Sequence, residues 1–348
     1  MQTKSETGRL AYIDATRGLA ILLVVYCHVA SISLGIPEGI GSFNDIVSLL
    51  HLPLFFFLSG FLMFKKERIQ SSAPIWPYIA RKARELLLPA LIFVTIFALW
   101  KGRSFNSIIL SQFKGGYWFT FFLFLFILLY TLLSYPIRKW DEKKLTTALL
   151  LISCVVGLAP TAIDILRPEW PEKTFFQVIS YQQFKHFLFF SFGAWIRARY
   201  AQLTQLSKEG FWKLLLVATP FLMLLIHHFH IPRVDFMTEW VFSLSGITLI
   251  LLLFKGLSTS FENNKAGRCL SFIGRRSLDI YLLHFFILPS LHPLGRFFTE
   301  TGNQVLEICL VTGIAIMIIA ICLLISHILR QSDILAKLLF GKADKIGG

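Results

Sequence analysis

The sequence predicts an all-α integral membrane protein, a polytopic bundle of about ten transmembrane helices with both termini in the cytoplasm. Three observations lead to this fold class. Only 16% of the 348 residues are charged, whereas about a quarter are charged in a typical soluble protein. The hydrophobic residues, 55% of the chain, gather in long runs. The basic residues gather in the short segments between these runs, as topology signals do in membrane proteins.

Ten apolar runs supply the predicted spans, although several are shorter than the ~20 residues of a perpendicular helix. With the N-terminus in the cytoplasm, 26 of the 34 Lys and Arg residues fall on the cytoplasmic side, which favours an even number of spans. No long polar stretch follows the last run, so we expect one membrane-embedded domain, 1–348, without an appended soluble domain. The runs are 18–34, 46–64, 86–100, 117–136, 145–162, 184–196, 213–229, 239–254, 277–294 and 305–329.

Charge and composition also exclude other classes. The net charge of +14 does not indicate nucleic-acid binding, because the basic loops set topology and face membrane lipids. The five Cys lie mostly in apolar runs and form no CxxC pair, so no disulfide framework is expected. The "HHFH" stretch, 227–230, lacks the spacing and the carboxylate of a zinc site, so no metal is expected.

The first run carries two ionisable side chains, Arg17 and His28. They are eleven residues apart, which places both on one face of a helix and ~16 Å apart along its axis. Asp14 lies one turn before Arg17 and can pair with it. Arg17 is either a topology anchor or a functional group, and His28 either bonds a neighbouring helix or acts as a general base.

The cytoplasmic loop 65–89, "KKERIQSSAPIWPYIARKARELLLP", begins with a charge cluster and runs into the third span. It is either a surface helix on anionic lipid or a site where Arg81 and Arg84 bind a phosphorylated ligand. The second run, "HLPLFFFLSGFLMF", places His51 at its outer end, as an interfacial or a site-lining residue. Ser59 and Gly60 interrupt its Phe residues and allow close helix packing.

The ninth run begins with "GRRSLDIYLLHFFI", 274–287. Ser277 can cap its start, and Asp279 then lies in the first turn, where a negative charge is favoured. Tyr281 and His284 are three residues apart, so they share a helix face. His284 is another ionisable group inside an apolar run, and both side chains are candidates to line a site.

With these stretches, the sequence resembles the acyltransferase-3 family of integral membrane acyltransferases. The resemblance rests on "IDATRGLAILLVVYCH", on "HLPLFFFLSGF", on the Arg-x-x-Arg at Arg81 and Arg84 before "LLLPALIF", and on "SLDIYLLH". The family also has ten spans, so the resemblance covers essentially the whole chain.

The resemblance implies transfer of an acyl group, most often acetyl, from cytoplasmic acetyl-CoA to a hydroxyl of an extracytoplasmic cell-surface glycan in a bacterial inner membrane. His28 would be the catalytic His and Arg17 its supporting Arg. Arg81 and Arg84 would bind the acyl-CoA donor, which is a substrate and not a permanently bound cofactor.

Two other readings of the residues stay open at this point. A transporter or flippase for a lipid-linked saccharide would also place ionisable groups in its spans, but it would not need a donor site at Arg81. A passive membrane scaffold leaves His28 and His284 unexplained. Within the enzyme reading, direct attack by the acceptor hydroxyl competes with an acetyl-His intermediate.

Overall fold

A computed structural model gives the architecture of the chain. It describes residues 10–36, 43–71, 73–166, 180–211, 213–215, 217–219, 221 and 235–342, and their regular structure is entirely helical. The α-helices with described bounds are α1 (Ala11–His28), α2 (Phe43–Met63), α3 (Lys66–Ile69), α4 (Trp76–Trp100), α5 (Phe105–Ile109), α6 (Trp118–Ser134), α7 (Glu142–Leu166), α8 (Phe187–Arg197), α9 (Tyr200–Lys208), α10 (Asp235–Gly256), α11 (Ser258–Asn263), α12 (Lys265–Arg275), α13 (Ser277–Leu283), α14 (His292–Thr301), α15 (Gln304–Leu329) and α16 (Asp333–Phe340).

Short segments of two other helix types, π and 3₁₀, occur between these α-helices. A π-helical stretch, Val29–Leu34, follows α1 directly. Turns of 3₁₀-helix cover Lys114–Gly116, Tyr181–His186 and His284–Phe286.

Six helices within the described residues are long and apolar enough to cross a membrane, and each corresponds to a predicted run. Two further apolar helices, Trp118–Ser134 and Ser277–Phe286, are shorter. The sixth predicted run forms a 3₁₀ turn and α8, and most of the seventh lies outside the described residues, as does the "HHFH" stretch. The six long helices are Ala11–Leu34, Phe43–Met63, Trp76–Trp100, Glu142–Ile163, Glu239–Gly256 and Gln304–Leu329.

The ninth predicted span, 277–294, is wrong as a single helix. Helix α13 ends at Leu283, a 3₁₀ turn follows, and the next helix starts only at His292. Pro289 explains the break, because it has no amide hydrogen and its ring would clash with the carbonyl four residues earlier. The continuous apolar run therefore folds as two short helices with irregular backbone between them.

Side-chain caps specify where several helices begin. Ser104 accepts a hydrogen bond from the Ser107 amide at the start of α5. Asn264 does the same for the Gly267 amide at the start of α12, at 2.6 Å. Such caps satisfy amides that have no partner within the helix, and each stabilises the helix by ~1 kcal/mol.

The chain divides into two compact units. The first contains Met1–Phe55, Ala201–Tyr281 and Leu288–Leu323, and the second contains Phe56–Tyr200, Leu282–Ile287 and Leu324–Gly348. In the first unit, α1 packs most extensively against α12. Gly18 faces the Leu270 carbonyl and Gly274 faces the Asp14 carbonyl, with no room for a Cβ at either glycine. Small residues thus let the two backbones touch, as is common in membrane helices.

The core of the second unit is aromatic. Phe56 and Phe126 are fully buried, with ring centroids 5.1 Å apart, and further Phe rings from α6 and α8 surround them. Gly60 of α2 lies against the Phe190 carbonyl, and Gly193 of α8 lies against the Phe57 carbonyl. The predicted close packing at Gly60 is confirmed by this reciprocal contact.

Candidate functional site

Arg17 and His28 both lie in α1, which is uninterrupted over its 18 residues. The helix therefore places them on one face, ~16 Å apart along its axis, as the spacing predicts. His28 is the last residue of α1 and is half-buried, and the π-helical stretch starts at the next residue. Because π-helical segments are rare and often occur at functional sites, the change of helix type next to His28 agrees with its predicted functional role.

The Arg17 guanidinium is tied to two neighbouring side chains. Its Nη2 donates to the Ser277 hydroxyl at 2.8 Å, and its Nη1 lies 4.0 Å from the Asp14 carboxylate. The predicted Asp14–Arg17 pair is thus confirmed, and Asp14 and Ser277 are both buried. Through Ser277, Arg17 links α1 to the start of α13, so it can fix the position of the helix that carries His28.

The start of α13 holds a second charged pair. Asp279 is buried in the first turn, as predicted, and its carboxylate lies 3.9 Å from an Arg276 guanidinium nitrogen. Tyr281 is buried in the same helix. His284 is completely buried, but it begins the 3₁₀ turn, so the α-helical periodicity that related it to Tyr281 ends there. The functional roles of Tyr281 and His284 remain predictions.

His51 is buried in α2, with 6% of its surface exposed. Its ring Nδ1 donates to the Val47 carbonyl oxygen at 2.8 Å, one turn earlier in the same helix. This bond leaves Nε2 as the ring nitrogen that can meet another group. A role for His51 in lining the site remains a prediction.

A polar cluster that was not predicted from the sequence lies at the starts of α2 and α15, within the first unit. The Asn44 amide donates to the Glu307 carboxylate at 3.0 Å. The Asn44 amide oxygen and the Tyr26 hydroxyl are buried without a hydrogen-bond partner among the described residues. Glu307 is a carboxylate just inside the tenth apolar run, and that position is the signal that could have identified it.

The second unit contains a cavity of ≈ 430 Å³ beside the basic start of α4. Four cationic side chains and one carboxylate, Glu85, occur among its described lining residues, together with Ser59 of α2. Arg81 also lines an adjoining cavity of ≈ 510 Å³, which contains three tyrosines. The cations of the smaller cavity are Lys65, Arg81, Lys82 and Lys342, and the tyrosines of the larger one are Tyr78, Tyr130 and Tyr135.

Helix α4 arranges the charges of the smaller cavity. The Arg81 guanidinium lies over the Tyr78 ring, 5.6 Å from its centroid. The Lys82 ammonium donates to a Glu85 carboxylate oxygen at 2.7 Å. Arg84 is exposed and is not among the described residues that line either cavity. The predicted pair of arginines is therefore separated: Arg81 faces both cavities, and a donor-binding role for Arg84 remains a prediction.

Lys82 and Lys342 are cavity residues that sequence analysis missed. Lys82 stands between Arg81 and Arg84 in the sequence, so it could have been included with them. Lys342 is far from this stretch in sequence, and no pattern connects it to α4.

Within the described residues, no group of three or more His, Cys, Asp or Glu side chains is placed to hold a metal ion. None of the five cysteines, all of which lie within the described residues, forms a disulfide. The described residues bring together two features with ionisable groups: helix α1, with Arg17 and His28, and the cation-lined cavity beside α4.

A family model with the description acyltransferase domain matches residues 10–327. The chain belongs to the acyltransferase-3 family. The match starts at the residue before α1 and runs almost to the end of α15, so it includes Arg17, His28 and Arg81. Together with the apolar helices, it identifies a multi-pass membrane acyltransferase. No curated protein and no solved structure matches the chain.

Proposed function

We propose that this acyltransferase transfers acetyl from cytoplasmic acetyl-CoA to a hydroxyl of an extracytoplasmic glycan or lipid-linked saccharide, in the inner membrane of a bacterium. The observation that carries the proposal is the cation-lined cavity at α4. Coenzyme A carries several phosphate charges, and Lys and Arg side chains are the usual protein partners of phosphate. The tyrosines of the adjoining cavity offer rings on which an adenine base can stack.

The cavity also supports the proposed topology of ten spans with both termini in the cytoplasm. Lys65 and Arg81 lie in the loop predicted to be cytoplasmic after the second span, and Lys342 follows the last span. All three line one cavity. The proposed topology agrees with this, because it places an even number of spans between these residues and so puts all three on the same side of the membrane.

In the proposed reaction, His28 is the general base. Its imidazole removes the proton of the acceptor hydroxyl while the hydroxyl oxygen attacks the thioester carbonyl carbon. The carbon–sulfur bond then breaks, acetyl remains on the acceptor oxygen, and the proton passes to the departing thiolate of coenzyme A. A positioned base of this kind accelerates a reaction by ~100- to 10,000-fold.

Other residues have supporting roles in this mechanism. Arg17 holds α1, and hence His28, against α13 through Ser277. Tyr281 and His284 are candidates to donate hydrogen bonds to the oxyanion that forms on the thioester carbonyl. An acetyl-His28 intermediate is the competing mechanism, and rapid-quench labelling with acetyl-labelled acetyl-CoA would detect it.

The test uses purified protein in nanodiscs with acetyl-CoA and a mixed glycan extract, and it follows release of free thiol. We expect His28→Ala to lower the rate by ~100- to 10,000-fold. His327→Ala is the matched control, because His327 is exposed in α15 and its ring contacts the Gln331 side chain one turn later. If the native protein neither binds nor cleaves acetyl-CoA, a saccharide transporter becomes the better assignment and saccharide uptake into vesicles should be measured.

A further inference from the structure

The segment that follows α15 forms part of the wall of the cation-lined cavity. Lys342, two residues after α16, lines this cavity together with Arg81 and Lys82 of α4. The family match ends at residue 327, so α16 and Lys342 lie outside it. The family assignment therefore gives no role to this segment, and the structure has to supply one.

Several contacts within the second unit fix the backbone at Lys342. Helix α16 packs against α4, with the Phe340 ring buried. Gly341 has a φ of +72°, and a Cβ there would clash with the backbone carbonyl of Glu85. The Arg330 guanidinium donates to the Lys342 carbonyl oxygen at 3.1 Å, and it also lies over the Phe340 ring, 4.8 Å from its centroid. These contacts hold the backbone of residue 342 at the cavity.

The Lys342 side chain is held much less tightly than its backbone. Its ammonium lies 3.6 Å from one oxygen of the Glu85 carboxylate, while the other oxygen accepts the shorter 2.7 Å bond from Lys82. The Lys342 side chain is 58% exposed, whereas that of Glu85 is 16% exposed. The Glu85 carboxylate thus forms ion pairs with two ammonium groups, those of Lys82 and Lys342. A polyanion in the cavity can attract the Lys342 ammonium while the closer Lys82–Glu85 pair stays formed.

We infer that Lys342 is a donor-binding residue, which the α16 segment presents to a phosphate group of the acyl-CoA alongside Arg81. This inference rests on the proposed function, because it assumes that acyl-CoA is the ligand of the cavity. It adds a phosphate contact from outside the matched family domain. The inference also gives a function to α16: its packing on α4 places the Lys342 ammonium group at the donor.

The test compares two thioester donors in nanodiscs: acetyl-CoA, which carries the phosphates, and S-acetylpantetheine, which has the thioester but no phosphate. For Lys342→Gln we expect the KM for acetyl-CoA to rise by about tenfold at low salt, with kcat unchanged, as for the loss of one charged contact to phosphate. The KM for S-acetylpantetheine should stay the same. The effect on acetyl-CoA should diminish as the salt concentration rises.

Two variants serve as controls. Lys337→Gln removes an exposed lysine of α16 that is not among the described residues lining the cavity, so its KM should equal that of the native protein. Lys342→Arg keeps the charge and should retain most of the affinity for acetyl-CoA. An unchanged KM in Lys342→Gln, or an equal rise for both donors, overturns the inference.

Failure of this inference can be distinguished from failure of the proposed function. If Arg81→Gln weakens acetyl-CoA binding and Lys342→Gln does not, only the role of Lys342 is refuted. If the native protein binds no coenzyme A at all, the donor assignment is refuted and the role of Lys342 is refuted with it.

Discussion

Replacing Gly274 by Ala tests the contact that positions the helix carrying His28. A Cβ at Gly274 would overlap the Asp14 carbonyl and approach the Gly18 amide, both in the backbone of α1. Backbone atoms cannot rotate away as a side chain can, so α1 and α12 must separate. Overpacking of this kind costs ~1–3 kcal/mol, and the higher helix propensity of Ala offsets ~1 kcal/mol of that cost. We expect a net destabilisation of up to ~2 kcal/mol.

The assay is thermal unfolding in one detergent, with acetyl-CoA turnover measured in parallel. A loss of this size corresponds to a fall in Tm of up to ~8 °C, using values for domains of about 150–250 residues. The turnover rate should fall even where the Tm changes little, because a shift of ~1 Å in a catalytic group can lower the reaction rate by ~100-fold. Gly313→Ala is the matched control, since a Cβ at Gly313 in α15 meets nothing within 4 Å. If Gly274→Ala and Gly313→Ala have equal Tm and turnover, the close packing of α1 on α12 is refuted as a determinant of the site.

Three further predictions concern single contacts. Ser277→Ala removes the 2.8 Å hydrogen bond from Arg17. We expect the free energy of unfolding to fall by ~1–2 kcal/mol and kcat to fall as well. An unchanged kcat would contradict the positioning role of Arg17. Arg81→Gln should weaken coenzyme A binding more than Arg84→Gln in equilibrium titration, because Arg81 lines the cavities and Arg84 does not. A larger loss of affinity in Arg84→Gln than in Arg81→Gln would exclude these cavities as the donor site. Tyr117→Phe removes the 3.1 Å hydrogen bond to a backbone carbonyl of α13. It should lower the free energy of unfolding by ~1 kcal/mol, and an unchanged Tm would contradict this prediction.

The features that sequence analysis predicted are those in which the decisive residues share one helix. Arg17 and His28 could be placed on one face because 3.6-residue periodicity relates residues within a helix, and the same holds for the Asp14–Arg17 pair. Arg81 was found because it lies in a basic stretch at a span boundary. In each case, the signal and the contact are local in the chain.

The features that it missed join distant parts of the chain. Glu85 meets Lys342, and Asn44 meets Glu307, across more than 250 residues. Side-chain periodicity carries no information about such pairs, because packing between helices creates them. The error over 277–294 has a different origin: hydropathy alone made one span of this run, although Pro289 was visible within it.

The cavity at α4 also bears on the proposed topology. Glu85 precedes the apolar part of α4, and Lys342 follows α15, yet the two side chains form an ion pair. Four long apolar helices, α4, α7, α10 and α15, lie in this interval, together with two shorter ones. The proposed ten-span arrangement with both termini on one side agrees with this ion pair, because it places an even number of crossings between the two residues.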